Sequence, residues 1–186
     1  MAGDGMGDAA GDEAGAAARP RVRVRRAEAR DVDAVVAIER GAFSDPWTRR
    51  AFRDLLGRAG AYFVVAEGGA ATAASARQEE LPDGVLGYAV AWFVVGEGEV
   101  ANIAVRPECR GRGVGASLLD DVLRAARDHA VATVFLEVRE SNVSARSLYA
   151  SRGFHPVGRR RNYYRLPTED ALLLRWDRPG TGARAP

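Results

Sequence analysis

Residues 101–123, ANIAVRPECRGRGVGASLLDDVL, run from an apolar stretch through a loop of alternating arginine and glycine into an amphipathic segment. Glycines in such a loop let the backbone curl so that successive N–H groups point inward, and the N-terminus of a following helix adds the positive end of its dipole. That combination is a cradle for an anion, and a phosphate fits it. GASLLDDVLRAARDHA, residues 115–130, sets Leu118, Leu119, Val122, Leu123 and Ala126 on one helical face, and VATVFLEV, 131–138, returns as a near-continuous apolar strand. Strand, loop, helix and strand in succession predict a parallel pair.

Upstream, RVRVRR (21–26) alternates as a strand with one apolar and one charged face. DVDAVVAIERGAF (31–43) predicts a helix capped by Asp31, and SDPWTRRAFRDLLG (44–57) a second, with Asp45 as its cap, Pro46 as its first residue and Gly57 past its end. AYFVVAE (61–67) and VLGYAVAWFVVGEGEVANIAV (85–105) carry three strands, the last two joined by a tight reversal at Gly96 to Gly98. The connection 67–84 is long and its composition favours disorder. Downstream, a short helix is expected from Val143 to Arg152, capped by Ser141 or Asn142 and ended by Gly153, before two strands in FHPVGRRRNYYRL (154–166) and EDALLLRWD (169–177).

A chain of 186 residues, 47% hydrophobic and 28% charged, suits one domain, expected over 20–178. Residues 1–19 hold no aromatic or β-branched side chain and are expected to be a disordered tail, as are 179–186. With 27 Lys+Arg against 25 Asp+Glu the net charge is only +2, which argues for no particular partner. A single cysteine excludes an internal disulfide framework and fits a reducing compartment. No apolar run approaches the ~20 residues that span a bilayer, and no basic flank precedes an apolar core at the N-terminus. The expectation is a soluble, cytoplasmic protein engaging neither membrane nor nucleic acid.

Arg110-Gly111-Arg112-Gly113-Val114-Gly115 lacks the spacing of a dinucleotide fingerprint and the Gly-Lys-Ser/Thr ending of a nucleotide P-loop. It does have the Arg/Gln-x-x-Gly-x-Gly/Ala form of the acyl-CoA loop of the GCN5-related N-acetyltransferases. NIAVRPECRGRGVGASLL, LEVRESNVSARSLYASRGF and RRNYY follow in that family's order. Over residues 22–176 the chain resembles its bacterial branch of ribosomal-protein-alanine N-acetyltransferases, and SDPW resembles that branch's Pro-Trp segment. Departures are the long 67–84 connection, the alanine-rich tail and Asp45 before Pro-Trp, and they bear on substrate choice.

The resemblance implies an α/β (α+β) fold: a central, mixed, mostly antiparallel sheet of about six to seven strands, with a parallel βαβ acyl-CoA unit and flanking helices. It implies acetyl-CoA as cosubstrate, with no metal, and the N-terminal segment of a protein, ribosomal in that branch and beginning with Ala, Ser or Thr, as acceptor. Backbone amides of Gly111, Arg112, Gly113, Val114, Gly115 and Ala116 would hold the pyrophosphate, with Arg110 and Arg112 as screening cations. Asn142 would bond the CoA arm, and N–H groups around Ile103, Ala104 and Val105 would meet the oxyanion. Glu137 takes the place of the general base and Tyr149 that of the acid protonating the thiolate, while Trp47 and Tyr163 would border a small pocket for the first residue.

Read without the resemblance, Glu137 is an acid at a strand end, where apolar neighbours would desolvate it and raise its pKa. Tyr149 is a core residue, and Asn142 caps a helix. RRRNYY (159–164) is too short to argue for nucleic acid. Cys109 lacks a nearby histidine to activate it, and His129 and His155 lie in no metal-ligand spacing. Two rivals remain open. One is a related acetyltransferase of lysine, a polyamine or an aminoglycoside, for whose polycationic substrates the sequence displays no cluster of acids. The other is a non-catalytic acyl-CoA-binding domain.

Overall fold

The computed structural model describes residues 22–68 and 84–180. Its strands are β1 (Val22–Arg26), β2 (Ala61–Gly68), β3 (Gly84–Val94), β4 (Glu97–Val105), β5 (Thr133–Arg139), β6 (His155–Arg165) and β7 (Thr168–Asp177). The helices are α1 (Val32–Ala42), α2 (Arg49–Leu55), α3 (Val114–Asp128) and α4 (Val143–Ala150). One seven-stranded sheet runs in the order β1-β2-β3-β4-β5-β7-β6. All neighbours are antiparallel except β4 and β5, the parallel pair expected around α3. Residues 1–19, 181–186 and most of the 67–84 connection, for which disorder was expected, lie outside the described residues.

Each face of the sheet has its own core. α3 buries Leu118, Leu119, Val122 and Leu123 against Val64, Leu86, Val134 and Leu136, the face its apolar stripe predicts. On the opposite face α1 and α2 pack Val32, Val35, Phe52 and Leu55 on Phe63, Val65, Tyr88 and Val90. That second core draws on β2, β3 and β4 and takes nothing from β5 or β7. The same face of β5 and β7 is therefore left without a helix over it.

The β4–β5 pairing is short. It runs from Glu97–Thr133 to Val100–Leu136 and stops, although β4 continues to Val105 and β5 to Arg139. A bulge marks the parting: on β3, Val90 pairs with Asn102 and Ala91 with Val100, so Ala101 is the extra residue. A bulge bends and twists its strand, and here it swings the end of β4 away from β5.

Four expectations need correction. α2 begins at Arg49 with the Thr48 hydroxyl accepting from Ala51 N–H, not at Pro46 with Asp45 as cap. The Trp47 N–H that an Asp45 cap would receive is taken instead by the Glu39 carboxylate at 2.9 Å, so that cap is not made. Asp31 stands at the N-terminus of α1 but caps none of its N–H groups, because its oxygens bind the Arg25 guanidinium at 2.7 and 2.8 Å and Glu28 N–H at 2.8 Å. The β3–β4 reversal turns at Val95 and Gly96, with φ of 42° and 82°, while Gly98 lies within β4. Two positive φ values in sequence make the turn that suits a hairpin's twist. α4 ends at Ala150, slightly short of the expected Arg152.

Candidate active site

The loop between β4 and α3 is open to an anion. After a single turn of 3₁₀-helix at Pro107–Cys109, Gly111 and Gly113 take φ of 75° and 84°, and a Cβ at either would meet nothing within 4 Å. Only glycine adopts that backbone at no cost. No side chain caps α3 and its first turn holds no acid, so the unbonded N–H groups beyond Gly113 keep their positive field. Arg110 folds back, its Nε donating to Val105 carbonyl at 3.2 Å. Gly115 lets α4 approach: a Cβ there would stand 3.4 Å from Leu148 Cδ2. Cys109 is fully buried, with its thiol pushed up by that burial, so it is a core residue.

Between this loop and β5 lies the edge of β4 that β5 has left. Arg106 N–H donates to Leu86 carbonyl on β3 at 2.8 Å. N–H direction alternates along an antiparallel strand, so Val105 and Ile103 turn theirs away from β3 and into the gap, while Ala104 turns its N–H to β3. Of the expected trio, Ile103 and Val105 thus turn their N–H groups toward the gap, and Ala104 contributes a side chain to the second core.

Glu137 is on β5 with Phe135 and Arg139, facing the side that no helix covers. Its surroundings differ from the apolar ones expected. Arg160 Nε on β6 stands 2.7 Å from its Oε1, and the Tyr163 hydroxyl donates to it, which helps push that phenol up to about 12. β6 reaches the carboxylate through a bulge between Arg160 and Tyr164, where Asn162 has a φ of 51° and gives its N–H to Asp170 Oδ1 at 2.9 Å.

Tyr149, on α4, packs its ring on Phe154 with centroids 5.8 Å apart and is 8% exposed. Burial, joined by the neighbouring Tyr164, pushes its pKa up to about 12. Tyr164 links the two expected catalytic residues, since Glu137 and Tyr149 both lie within its electrostatic reach. Its ring lies under Arg139, at 4.1 Å, and against Tyr163, at 5.2 Å. Asn142 caps α4 by accepting Ala145 N–H at 3.1 Å, which leaves its amide donors available.

A cleft of about 500 Å³ opens beside Glu137, with Trp92, Phe135 and Leu173 as its apolar lining and Arg160, Glu97 and Glu99 as charged neighbours. Those two glutamates correct the reading that acids are missing: the parallel pairing lays them alongside β5. Trp47 and Tyr163, expected to share a pocket, have no ring contact or hydrogen bond joining them among the described residues. Trp47 stacks on Phe52 at 5.7 Å and Tyr163 stays with Glu137. Between them, Arg139 Nη2 donates to Ser44 Oγ at 3.2 Å, tying the α1–α2 connection to β5. Among the described residues no cluster of His, Cys, Asp and Glu could hold a metal ion, and no helix is long and apolar enough to cross a membrane.

Sequence reasoning missed Glu39, which is wholly buried yet charged in type. Its carboxylate accepts from Trp47 N–H, from the Tyr88 hydroxyl in a short contact, and from Asn102 Nδ2 at 3.2 and 3.4 Å. Burial raises its pKa against the pull of these donors. A periodic apolar face with one acid at ERGAF offers no signal of this, because the partners come from three other segments.

Residues 32–154 match the acetyltransferase (GNAT) family. The chain is 33% identical over 151 residues to the ribosomal protein bS18-alanine N-acetyltransferase of Escherichia coli (strain K12), covering 79% of this chain and 91% of that one. It is 34% identical over 158 residues, covering 84% and 95%, to a Bacillus subtilis (strain 168) chain that bears the same name provisionally. The crystal structure of the Escherichia coli ribosomal-protein-S18-alanine N-acetyltransferase superimposes with a TM-score of 0.71 at 27% identity, covering 89% of this chain and 99% of that one.

Proposed function

The chain belongs to the acetyltransferase (GNAT) family, and from that premise we propose that it moves the acetyl group of acetyl-CoA to the N-terminal amine of a protein, a ribosomal protein beginning with Ala, Ser or Thr. The observation that carries this reading is the parted β4 and β5, with outward N–H groups of Ile103 and Val105 on one side and Glu137 on the other, between the glycine-arginine loop and Tyr149. The names of the relatives supply the acceptor class.

The cradle at Gly111 to Ala116 would take the pyrophosphate, with Arg110, Arg112 and the amide of Asn142 beside it. The thioester would then lie along the free edge of β4. The acceptor nitrogen attacks the thioester carbonyl, and N–H groups of Ile103 and Val105 meet the negative charge that grows on its oxygen. As the C–N bond forms and the C–S bond breaks, Glu137 takes the ammonium proton, directly or through a water, and the Tyr149 phenol gives its proton to the departing sulfur. A carboxylate has about four acceptor positions, so Arg160 and Tyr163 leave room on Glu137 for the amine. A phenol whose pKa is about 12 is fully protonated at neutral pH, as an acid must be.

Neutralising an α-amine of pKa near 8 at pH 7 costs about 1.4 kcal/mol, against about 4.6 kcal/mol for a lysine near 10.4. That difference favours an α-amine for an unexceptional carboxylate base. Glu97 and Glu99 keep a second reading in play, a small polycationic amine seated in the same cleft. Turnover of an Ala-initiated peptide and of spermidine, measured side by side in the native protein, Glu137→Gln and Tyr149→Phe, tests both. Peptide turnover that falls about 10²- to 10⁴-fold in each variant, with acetyl-CoA binding by calorimetry unchanged, supports the proposal. Spermidine turnover exceeding peptide turnover overturns the acceptor, and a native protein that binds acetyl-CoA and turns over neither overturns the enzyme.

A further inference from the structure

The connection between α1 and α2 bridges the place where the sheet divides, and it has an anchor on each side. On the β5 side, Arg139 reaches Ser44 at 3.2 Å. On the β4 side the anchor is indirect: Trp47 N–H is held by Glu39 at 2.9 Å, and Glu39 in turn holds Asn102 on β4 at 3.2 Å. Asn102 directly follows the bulged Ala101 and directly precedes Ile103, the first of the outward-facing amides. The Trp47 ring is fixed independently, through Phe52 at 5.7 Å and from there to the Tyr88 ring at 5.4 Å.

We infer that Glu39 is a positioning residue for acetyl transfer, which sets the Pro46–Trp47 segment and the Ile103–Val105 edge in register with each other. This rests on the function proposed above. Glu39 does not touch the reacting atoms, since its side chain is wholly buried and its oxygens face donors. An acid in such a place has a cost, because a carboxylate taken out of water needs all its acceptor positions met. An apolar residue would fill the volume with less penalty. What an apolar residue lacks is the reach to bind a loop amide, a phenol and a strand amide at once, and those belong to the acceptor side and the thioester side of one cleft.

Glu39→Gln keeps the volume but presents a donor where Tyr88 or Asn102 donates, so one bond reverses or breaks. Asn102→Ala removes the strand-side bonds alone and leaves Glu39 with Trp47 and Tyr88. The experiment is steady-state kinetics on both variants and their double, with an Ala-initiated peptide and acetyl-CoA varied separately, well below each variant's melting temperature. The expected result is a kcat lowered about ten- to a hundredfold, a raised KM for the peptide, and a KM for acetyl-CoA unchanged because the pyrophosphate loop is elsewhere. The double variant should lose no more than the worse single, as residues acting as one unit do. If both folded variants turn over with native kcat and peptide KM and show only a lower Tm, Glu39 is a core residue and the inference falls. Should Glu39→Gln not fold, Asn102→Ala decides by the same criteria. A native protein inactive on the peptide sinks the function itself, which is visible before any variant is made.

Discussion

In the proposed reaction Glu137 takes a proton from an amine while Arg160 sits 2.7 Å from one of its oxygens, and that is the tightest constraint at the scale of single residues. The guanidinium and the Tyr163 hydroxyl orient the carboxylate. Tyr163→Phe should therefore slow turnover modestly, by about fivefold for one hydrogen bond worth about 1 kcal/mol, with acetyl-CoA binding intact. A loss as large as that of Glu137→Gln would instead make Tyr163 part of the chemistry. Tyr149 yields a sharper expectation. With its pKa near 12 it keeps its proton across the whole practical range, so the kcat profile should show no falling limb between pH 8 and about 10. A limb centred near 9 that is absent from the residual activity of Tyr149→Phe would contradict the raised pKa while identifying Tyr149 as the group that titrates. The places of Glu137 on β5, of Tyr149 on α4 and of Asn142 as its cap were legible from periodicity and capping, and the roles proposed for them come from the family motifs. Glu39 was not legible, since its partners lie 8, 49 and 63 residues away in sequence. Such separations become contacts only after the sheet has formed.

At the scale of elements, the two strands that part depend on small residues at particular points. A Cβ on Gly87 of β3 would lie 2.7 Å from the Ala104 carbonyl oxygen, a backbone atom that cannot retreat without moving β4. Gly87→Ala should destabilise the protein by about 2 kcal/mol or more, read as a fall in Tm, and should also slow transfer, because β4 carries the proposed oxyanion donors. Gly113→Ala is different: its Cβ meets open space but sits at a φ of 84°, a backbone costing about 1 kcal/mol for a non-glycine residue. There the expected signature is a raised KM for acetyl-CoA with nearly native Tm. An unchanged KM would remove the loop from the binding site. The order and type of these elements followed from hydrophobic periodicity and turn chemistry. The start of α2 did not, because Asp45-Pro46 is a strong helix-start signal that a tertiary bond to Trp47 N–H overrides. The length of the β4–β5 pairing was likewise hidden: both strands read as apolar to their ends, and the bulge at Ala101 leaves no mark in composition.

Across the whole molecule, a clamp far from the cleft joins β1, the start of α1 and the end of β2. Arg25 binds Asp31 and Glu67, with its side chain 14% and that of Asp31 5% exposed. Hydrogen bonds from Arg25 hold both carboxyls below their ordinary values. A lowered folded pKa stabilises the protein above the unfolded value, near 3.8 for Asp31, and this stability is lost as pH falls through the folded value. Tm should accordingly drop on acidification below about pH 4, and calorimetry of Asp31→Asn should show a lower Tm at pH 7, by about 3 kcal/mol in stability, with a weaker acid dependence. A variant as stable as the native protein at pH 7 would dismiss the clamp. The parallel pair was legible from the succession of strand, loop, helix and strand, and the mixed, mostly antiparallel sheet from the family resemblance. Which amine the cleft serves is a property of the assembled molecule, where β3, β4, β5, β7 and β6 meet. The most direct test offers both amines on one substrate: a peptide that begins with Ala and carries an internal Lys is incubated with acetyl-CoA and the protein, and tandem mass spectrometry locates the added acetyl group. The account predicts acetyl on the α-amine, with the lysine unmodified. Acetyl on the lysine alone would contradict it.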